Sequence, residues 1–272
     1  MKPKAIGIFD SGVGGLTVLS EVVKALPFED IAYLGDTARI PYGTKSPETV
    51  TRYAQQITSF LVRREIKVLV VACNTASAVS LEVLKATFAI PIVGVIDPGA
   101  RRAAAVTRTG KVGVIGTEGT IRSNAYVKAI KTINPGIEVV TRACPLFVPL
   151  AEEGWVDNEV TRLAARMYLD GLREEGVDTL VLGCTHYPLL KGIISEVMGE
   201  RVTLVDSGEE AAHTVAELLQ GRGMLNTSSA KGSQRYYVTD MPAGFVRVAN
   251  RFLGERLEDV CQVSLEDDIK GG

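Results

Sequence analysis

The chain has 272 residues, of which 46% are hydrophobic and 23% are charged, and its formal net charge at pH 7 is −2. This length is enough for two lobes, because domains of roughly 100–150 residues are the commonest. The weak net charge offers no basic surface for nucleic acid, and no apolar run reaches the roughly 18–20 residues of a membrane span. We therefore expect neither a nucleic-acid partner nor a membrane partner.

Short apolar runs typical of buried strands alternate with amphipathic stretches typical of helices along most of the chain. The predicted strands are, in order, 5–9, 31–34, 68–72, 92–95, 111–115, 138–141, 180–182, 203–205 and 236–239. Apolar strands that alternate with helices predict an α/β fold with a parallel sheet covered on both faces. In open sheets of this kind, ligands bind beyond the carboxyl ends of the strands.

Two pairs of segments repeat along the chain. Residues 68–77 and 179–188 are both apolar strands that end in a cysteine followed by a hydroxyl-bearing turn, and residues 6–12 are echoed by 112–117. One α/β unit therefore occurs twice. We predict two pseudo-symmetric lobes, each a mostly parallel sheet flanked by helices, with the active site in the cleft between them.

The segment Asp97-Pro98-Gly99 is expected to break the pattern of strands and helices, which predicts the boundary between the lobes there. Residues 98–206 are predicted to form lobe two. The stretch 207–272 is too small for a core of its own, so we expect it to complete lobe one together with residues 1–97. The tail 265–272 is expected to fray.

The repeated cysteines, Cys73 and Cys184, are the strongest candidates for chemistry. Cys73 precedes an expected helix, where aligned amides lower the pKa of a thiol from about 8.5, and Cys184 has a similar setting with Pro188 expected at the first helical position. A single cysteine at a strand end is usually a small buried hydrophobe, but packing alone gives no reason for a repeat. Cys144 and Cys261 lack this context and are predicted to have no catalytic role.

Two further polar side chains accompany the thiols. His186 lies two residues after Cys184 and is a candidate proton partner for it. Asp10 ends the first strand, where it would receive the proton of the Cys73 thiol, bind a substrate ammonium, or cap the following helix. His213 lies within an apolar-striped helix without a companion, so no role is assigned to it.

A glycine-rich turn at residues 11–17 follows the first strand, and Thr117, Gly119 and Thr120 repeat it in the second half. It matches neither the phosphate-loop motif nor the dinucleotide fingerprint, but its amides can hold an anion, which favours a small dicarboxylate over a nucleotide. No lysine stands in these motifs, which argues against a pyridoxal phosphate Schiff base. We predict no cofactor and no metal.

The chain resembles the cofactor-independent glutamate racemases of the aspartate/glutamate racemase superfamily. The resemblance rests on FDSGVGG at 9–15, PYG at 41–43, VACNTAS at 71–77, PLFVPLAE at 145–152, GCTHYP at 183–188 and YYVTD at 236–240. It implies that Cys73 and Cys184 are the two acid/base residues, that Asp10 assists Cys73, and that His186 and Glu152 assist Cys184. Because Glu153 stands next to Glu152, the resemblance leaves open which of the two is the supporting carboxylate. The substrate contacts that it implies are Asp10, Ser11, Tyr42, Gly43, Asn74, Thr75, Thr117, Thr185 and His186.

The function implied is interconversion of L- and D-glutamate for peptidoglycan synthesis, by an enzyme that we expect to be a cytoplasmic homodimer with reduced thiols. The N-terminal apolar stretch is interrupted by Asp10-Ser11-Gly12, unlike a signal peptide, and four cysteines without CxxC spacing form no disulfide framework. Because the chain starts almost at its first strand, we expect no activation through an N-terminal extension.

Three other functions are alternatives. An aspartate racemase, or another amino-acid racemase of the same superfamily, would use the same two thiols. A hydrolase with a cysteine nucleophile needs only one thiol, so the repeat counts against it. A periplasmic-type amino-acid binding module also has two α/β lobes, but it would carry a signal peptide and no reactive thiols.

Overall fold

Ten strands form two parallel sheets in the computed structural model, which describes residues 4–254, 257 and 259–265. The six-stranded sheet has the order β10-β9-β2-β1-β3-β4, and its strands are β1 (Ile6–Asp10), β2 (Ile31–Gly35), β3 (Val68–Val71), β4 (Ile92–Gly94), β9 (Gln234–Val238) and β10 (Val260–Gln262). The four-stranded sheet has the order β6-β5-β7-β8, and its strands are β5 (Lys111–Gly116), β6 (Glu138–Ala143), β7 (Thr179–Gly183) and β8 (Thr203–Asp206).

Eleven α-helices within the described residues cover the two sheets. They are α1 (Leu16–Ala25), α2 (Pro47–Val62), α3 (Asn74–Thr87), α4 (Ile96–Val106), α5 (Glu118–Arg122), α6 (Ala125–Ile133), α7 (Phe147–Glu152), α8 (Glu159–Glu174), α9 (Lys191–Met198), α10 (Ser207–Gly221) and α11 (Pro242–Leu253). None of the helices in these ranges is long and apolar enough to cross a bilayer.

The central strands of the first sheet, β1, β2 and β3, are buried along their whole length, which explains why they are apolar at almost every position. Successive side chains of a strand point to opposite faces. Ile6 and Ile8 therefore pack with α1, α10 and α11, whereas Phe9 packs on the other face with α2 and α3. The second sheet is covered in the same way by α4 and α6 on one face and by α7, α8 and α9 on the other. The predicted two-lobed α/β fold is confirmed.

Each of the nine predicted strands is present, and β10 is an additional strand that the apolar pattern did not predict. This strand has only three residues, of which Cys261 and Gln262 are exposed, so it carries no buried apolar signal. Strand β9 pairs with β2, so the C-terminal stretch joins the first sheet. The exact lobe boundaries stay a prediction, and the tail expected to fray lies outside the described residues from 266 onward.

The segment Asp97-Pro98-Gly99 does not interrupt the pattern as expected, because it lies in the first turn of α4. Backbone N–H groups in the first turn of a helix have no helical acceptor, so a proline such as Pro98 is tolerated there. The change from one sheet to the other therefore runs through a helix.

Candidate active site

The carboxyl ends of strands from both sheets meet at a cavity of about 380 Å³. Of the residues predicted to form the site, those that line this cavity are Ser11, Tyr42, Gly43, Cys73, Asn74, Thr75, Thr117, Glu152, Cys184, Thr185 and His186. The first sheet contributes Cys73 and the second contributes Cys184, so one cavity receives both thiols.

Cys73 is the N-cap residue of α3, and its Sγ accepts a hydrogen bond from the backbone N–H of Ala76 at 3.5 Å. The expected position at a helix N-terminus is therefore correct, but the expected lowering of its pKa is wrong. Burial raises the pKa of Cys73 to about 12, and the nearby charge of Asp10 adds to this effect. Removal from water outweighs the helix amides, so Cys73 is a neutral thiol at pH 7.

Cys184 has a different setting from Cys73. It lies on the loop after β7, followed by a four-residue 3-10 turn, Tyr187–Leu190, which has Pro188 in its first turn. The expected match with the helix start at Cys73 is therefore incomplete. The Sγ of Cys184 instead lies 3.8 Å from Nδ1 of His186.

His186 is held between Cys184 and a carboxylate. Its Nε2 lies 2.9 Å from Oε1 of Glu152, and Phe252 packs edge-on against its ring. Burial alone would lower the pKa of His186, but the hydrogen bonds with Cys184 and Glu152 outweigh it and raise the pKa to about 10. The ring is therefore an imidazolium at pH 7, with one N–H directed to each partner. Glu152, rather than Glu153, is the carboxylate on this side.

Asp10 is fully buried and lies behind the cavity rather than on its wall. Its carboxylate accepts hydrogen bonds from the Gly12 N–H at 2.9 Å and from the Thr185 hydroxyl at 3.4 Å. Its expected contact with substrate stays a prediction. Asp10 is not the cap of α1, since that helix begins after Gly15. Asp10 supports the glycine-rich turn and ties it to the Cys184 loop.

The glycine-rich turn of the first lobe presses directly against the Cys184 loop of the second. A Cβ added at Gly14 would lie 2.5 Å from Nδ1 of His186 and would also overlap the Thr185 hydroxyl. The Thr17 hydroxyl donates to the Thr185 carbonyl at 2.8 Å. The site is therefore assembled across the two lobes.

Polar groups from both lobes surround the thiols. The hydroxyl groups of Thr75 and Thr117 are 2.9 Å apart, and both are within hydrogen-bond distance of Thr120. Nδ2 of Asn74 is buried and has no hydrogen-bond partner among the described residues. These donors leave hydrogen-bonding capacity for an anionic ligand in the cavity.

Sequence reasoning missed two parts of the site. The first is Asp36, which is fully buried and accepts hydrogen bonds from the Tyr42 hydroxyl, from Nε of Arg39 at 2.7 Å and from the Thr239 hydroxyl at 2.9 Å. The sequence feature that could have indicated Asp36 is its position directly after β2, which resembles the position of Asp10 at the end of β1. The second part is α11 with the residue before it, and together they contribute Met241, Gly244, Phe245, Arg247 and Val248 to the cavity wall.

The residues to which no role was assigned lie elsewhere. All four cysteines are free thiols; Cys144 is buried and Cys261 is exposed on β10. His213 is exposed on α10, 4.0 Å from Glu210.

Three comparisons with known proteins bear on this site. The family model described as Asp/Glu/Hydantoin racemase matches residues 6–215. A glutamate racemase of Geobacter metallireducens is 73% identical over 263 residues, which cover 97% of each chain. The crystal structure of a glutamate racemase isoform from Bacillus anthracis superimposes with a TM-score of 0.94 at 43% identity, over 97% of this chain and 99% of that one. A glutamate racemase from Francisella tularensis in complex with D-glutamate superimposes with a TM-score of 0.91 at 40% identity, over 98% and 100% of the two chains.

Proposed function

The chain belongs to the Asp/Glu/Hydantoin racemase family and is a racemase, and from that premise we propose that it interconverts L- and D-glutamate with Cys73 and Cys184 as the acid and base. The observation that carries the proposal is the pairing of the two thiols at one cavity. One is a buried neutral thiol, and the other faces an imidazolium.

The proposed reaction removes the Cα proton from one face and returns a proton on the other. With L-glutamate, the Cys184 thiolate takes the proton, the Cα–H bond breaks and an S–H bond forms. The Cys73 S–H then gives its proton to the opposite face of Cα, which yields D-glutamate and a Cys73 thiolate. D-glutamate reacts by the reverse path, so each turnover exchanges the protonation states of the two thiols.

His186 and Glu152 act on the Cys184 side. An imidazolium next to a thiol favours the thiolate, and Glu152 favours the imidazolium in turn. Negative charge that develops on the α-carboxylate is stabilised by fixed donors of the cavity, and we assign this role to the Asn74 amide and the Thr75 hydroxyl. We further assign substrate contacts to Ser11, Tyr42, Gly43, Thr117, Thr185 and His186, each of which lines the cavity.

Racemisation in deuterium oxide tests the two-thiol reaction. At early times, product glutamate should carry deuterium at Cα while recovered substrate carries none, because the departing proton stays on its own thiol. A single shared base would label both pools alike or return the original hydrogen. Cys73→Ala and Cys184→Ala should each abolish racemisation, whereas Cys261→Ala is the matched control and should leave it unchanged. Near-normal turnover by either active-site variant would refute the mechanism.

Substrate preference separates the proposal from its neighbours. The rate with L-glutamate should exceed the rate with L-aspartate by at least about 100-fold, because a chain one methylene shorter cannot engage both ends of the same cavity. The reverse preference would make the chain an aspartate racemase. An acyl-enzyme trapped on either thiol would support a hydrolase instead.

We propose that the D-glutamate produced in the cytoplasm supplies peptidoglycan synthesis. Depletion of the protein should then stop cell-wall growth, and external D-glutamate should restore it where the cell can import it. Lysis that persists with D-glutamate present inside the cell would refute this role.

We also propose that the active protein is a homodimer. Val160, Leu163 and Met167 lie at intervals of three and four residues on α8, so they form one exposed apolar stripe, which a second copy would bury around a two-fold axis. Sedimentation velocity should give twice the 29.1 kDa chain mass. Leu163→Glu should give a monomer, whereas Val83→Glu, at an exposed site on α3, should not. A wild-type monomer, or a dimer that survives Leu163→Glu, would contradict this interface.

A further inference from the structure

Tyr126 makes a buried hydrogen bond between the two lobes. It is the second residue of α6, in the layer that covers the second sheet, and its side chain is almost fully buried. Its hydroxyl donates to Oδ1 of Asn74 at 2.7 Å, and Asn74 is the first residue of α3, directly after Cys73. Tyr126, which does not line the cavity, therefore contacts Asn74, which does.

This bond determines which way the Asn74 amide faces. A side-chain amide has one acceptor oxygen and one donor NH₂ group. Because Tyr126 occupies Oδ1, the NH₂ group is the polar end that remains, and it has no partner in the part of the chain that the structure describes. Burial raises the pKa of the Tyr126 phenol, so its hydroxyl stays protonated and remains a hydrogen-bond donor at neutral pH.

The Tyr126 ring is held in place by close packing. A Cβ added at Gly183, the last residue of β7, would lie 3.1 Å from its ring, and a Cβ added at Gly99 of α4 would lie 3.4 Å from its hydroxyl. The ring is therefore fixed by β7 and α4, and loss of the hydroxyl alone leaves this packing intact.

We propose that Tyr126 is a positioning residue that fixes the Asn74 amide with its NH₂ group towards the α-carboxylate of the substrate. This role rests on the proposed racemisation of glutamate. Asn74 directly follows the thiol that protonates Cα, so the carboxylate nearest to it is the one on which negative charge develops. Without Tyr126, the amide rotates, and its oxygen competes for the position that the NH₂ group must hold.

A double-mutant cycle on kcat/KM tests this coupling. Tyr126→Phe should lower kcat/KM by about three- to tenfold, the effect of one misdirected hydrogen bond. In the Asn74→Ala background the same substitution should change kcat/KM by less than about twofold, because the amide on which it acts is gone. Tyr168→Phe, which removes a phenol hydroxyl on α8, is the matched control and should leave kcat/KM unchanged.

Two other results would overturn the role. If Tyr126→Phe lowers kcat/KM equally in both backgrounds, Tyr126 supports the fold and does not act through Asn74. Asn74→Asp keeps the acceptor for Tyr126 and removes the NH₂ group, so it should lower kcat/KM at least as much as Asn74→Ala. A near-normal Asn74→Asp enzyme would refute the orientation even if Tyr126→Phe failed to fold.

The wild-type reaction separates this role from the function on which it rests. Absence of glutamate racemisation by the wild-type protein would refute both. Racemisation combined with independent effects of the two substitutions would refute the role of Tyr126 alone.

Discussion

Substitution of Gly14 by alanine should inactivate the site without touching either thiol. The added Cβ would lie 2.5 Å from Nδ1 and Cε1 of His186 and would also overlap the Thr185 hydroxyl. Non-bonded carbon atoms prefer about 3.5–4.0 Å, so the ring must retreat by about 1 Å. The same ring is held by Glu152 at 2.9 Å and faces Cys184 at 3.8 Å, so it cannot retreat without changing both contacts.

The cost can be divided between activity and stability. A displacement of about 1 Å at a reacting group costs about 100-fold in rate, and overpacking costs about 1–3 kcal/mol of the free energy of unfolding. For a chain of this size each kcal/mol lowers Tm by about 2–4 °C, so the Gly14→Ala protein should stay folded at 25 °C. The backbone at Gly14 does not have a positive φ, so the effect comes from contact alone.

Steady-state racemisation of L-glutamate, with a thermal melt on the same sample, measures both costs. Gly221→Ala is the matched control, since a Cβ at the end of α10 would meet nothing within 4 Å in the described structure. It should keep full activity and an unchanged or slightly higher Tm. A Gly14→Ala enzyme within twofold of wild type would show that the two lobes do not meet at His186 as described.

Three further predictions concern protonation, and one concerns cofactors. Glu152→Gln should lower the pKa of His186 from about 10 by about one unit in an NMR titration of the ring, because a neutral amide stabilises the imidazolium less. Because this pKa exceeds the ordinary 6.5, the His186 imidazolium stabilises the folded protein. Its contribution to the free energy of unfolding is complete below about pH 6.5 and is lost as the pH rises towards 10. Urea unfolding should show a decline of up to about 1.4 kcal/mol per pH unit across that window, which His186→Gln should flatten. At pH 7, iodoacetamide should label Cys73 at least about 100-fold more slowly than the exposed Cys261; comparable rates would refute the neutral thiol. Activity should need no pyridoxal phosphate, flavin or metal, and a loss on EDTA dialysis that a metal reverses would contradict this.

The sequence was most informative where a feature occurred in a regular or repeated pattern. Nine strands were predictable from short apolar runs, which are most continuous in β1, β2, β3 and β7 because these strands are fully buried. The two thiols were predictable because a cysteine recurs at matched strand ends, and parallel strands bring such ends to one edge. Asp36 ends a strand in the same way, but it has no counterpart in the second half that would have marked it.

Features that depend on packing between distant segments were not predictable. Burial raises the pKa of Cys73, and the extent of this burial cannot be read from the sequence. The sequence shows only the expected helix start, whose backbone amides lower the pKa of a thiol. The cavity wall formed by α11 depends on how the last part of the chain returns over the first sheet. The partners of the Asp10 carboxylate were not predictable, because one of them, the Thr185 hydroxyl, lies 175 residues away along the chain.

The position of β9 beside β2 has a consequence for how the protein is made. The second sheet comes from one continuous stretch between residues 111 and 206, so it can assemble while the chain is still leaving the ribosome. The first sheet cannot, because the edge of β2 stays open until residues 234–238 have been synthesised. An open strand edge is a template for pairing with other chains, so a nascent or truncated protein that lacks β9 is exposed to aggregation. The helix that closes the cavity, α11, belongs to the same late segment, so the site is complete only after residue 253 has been synthesised.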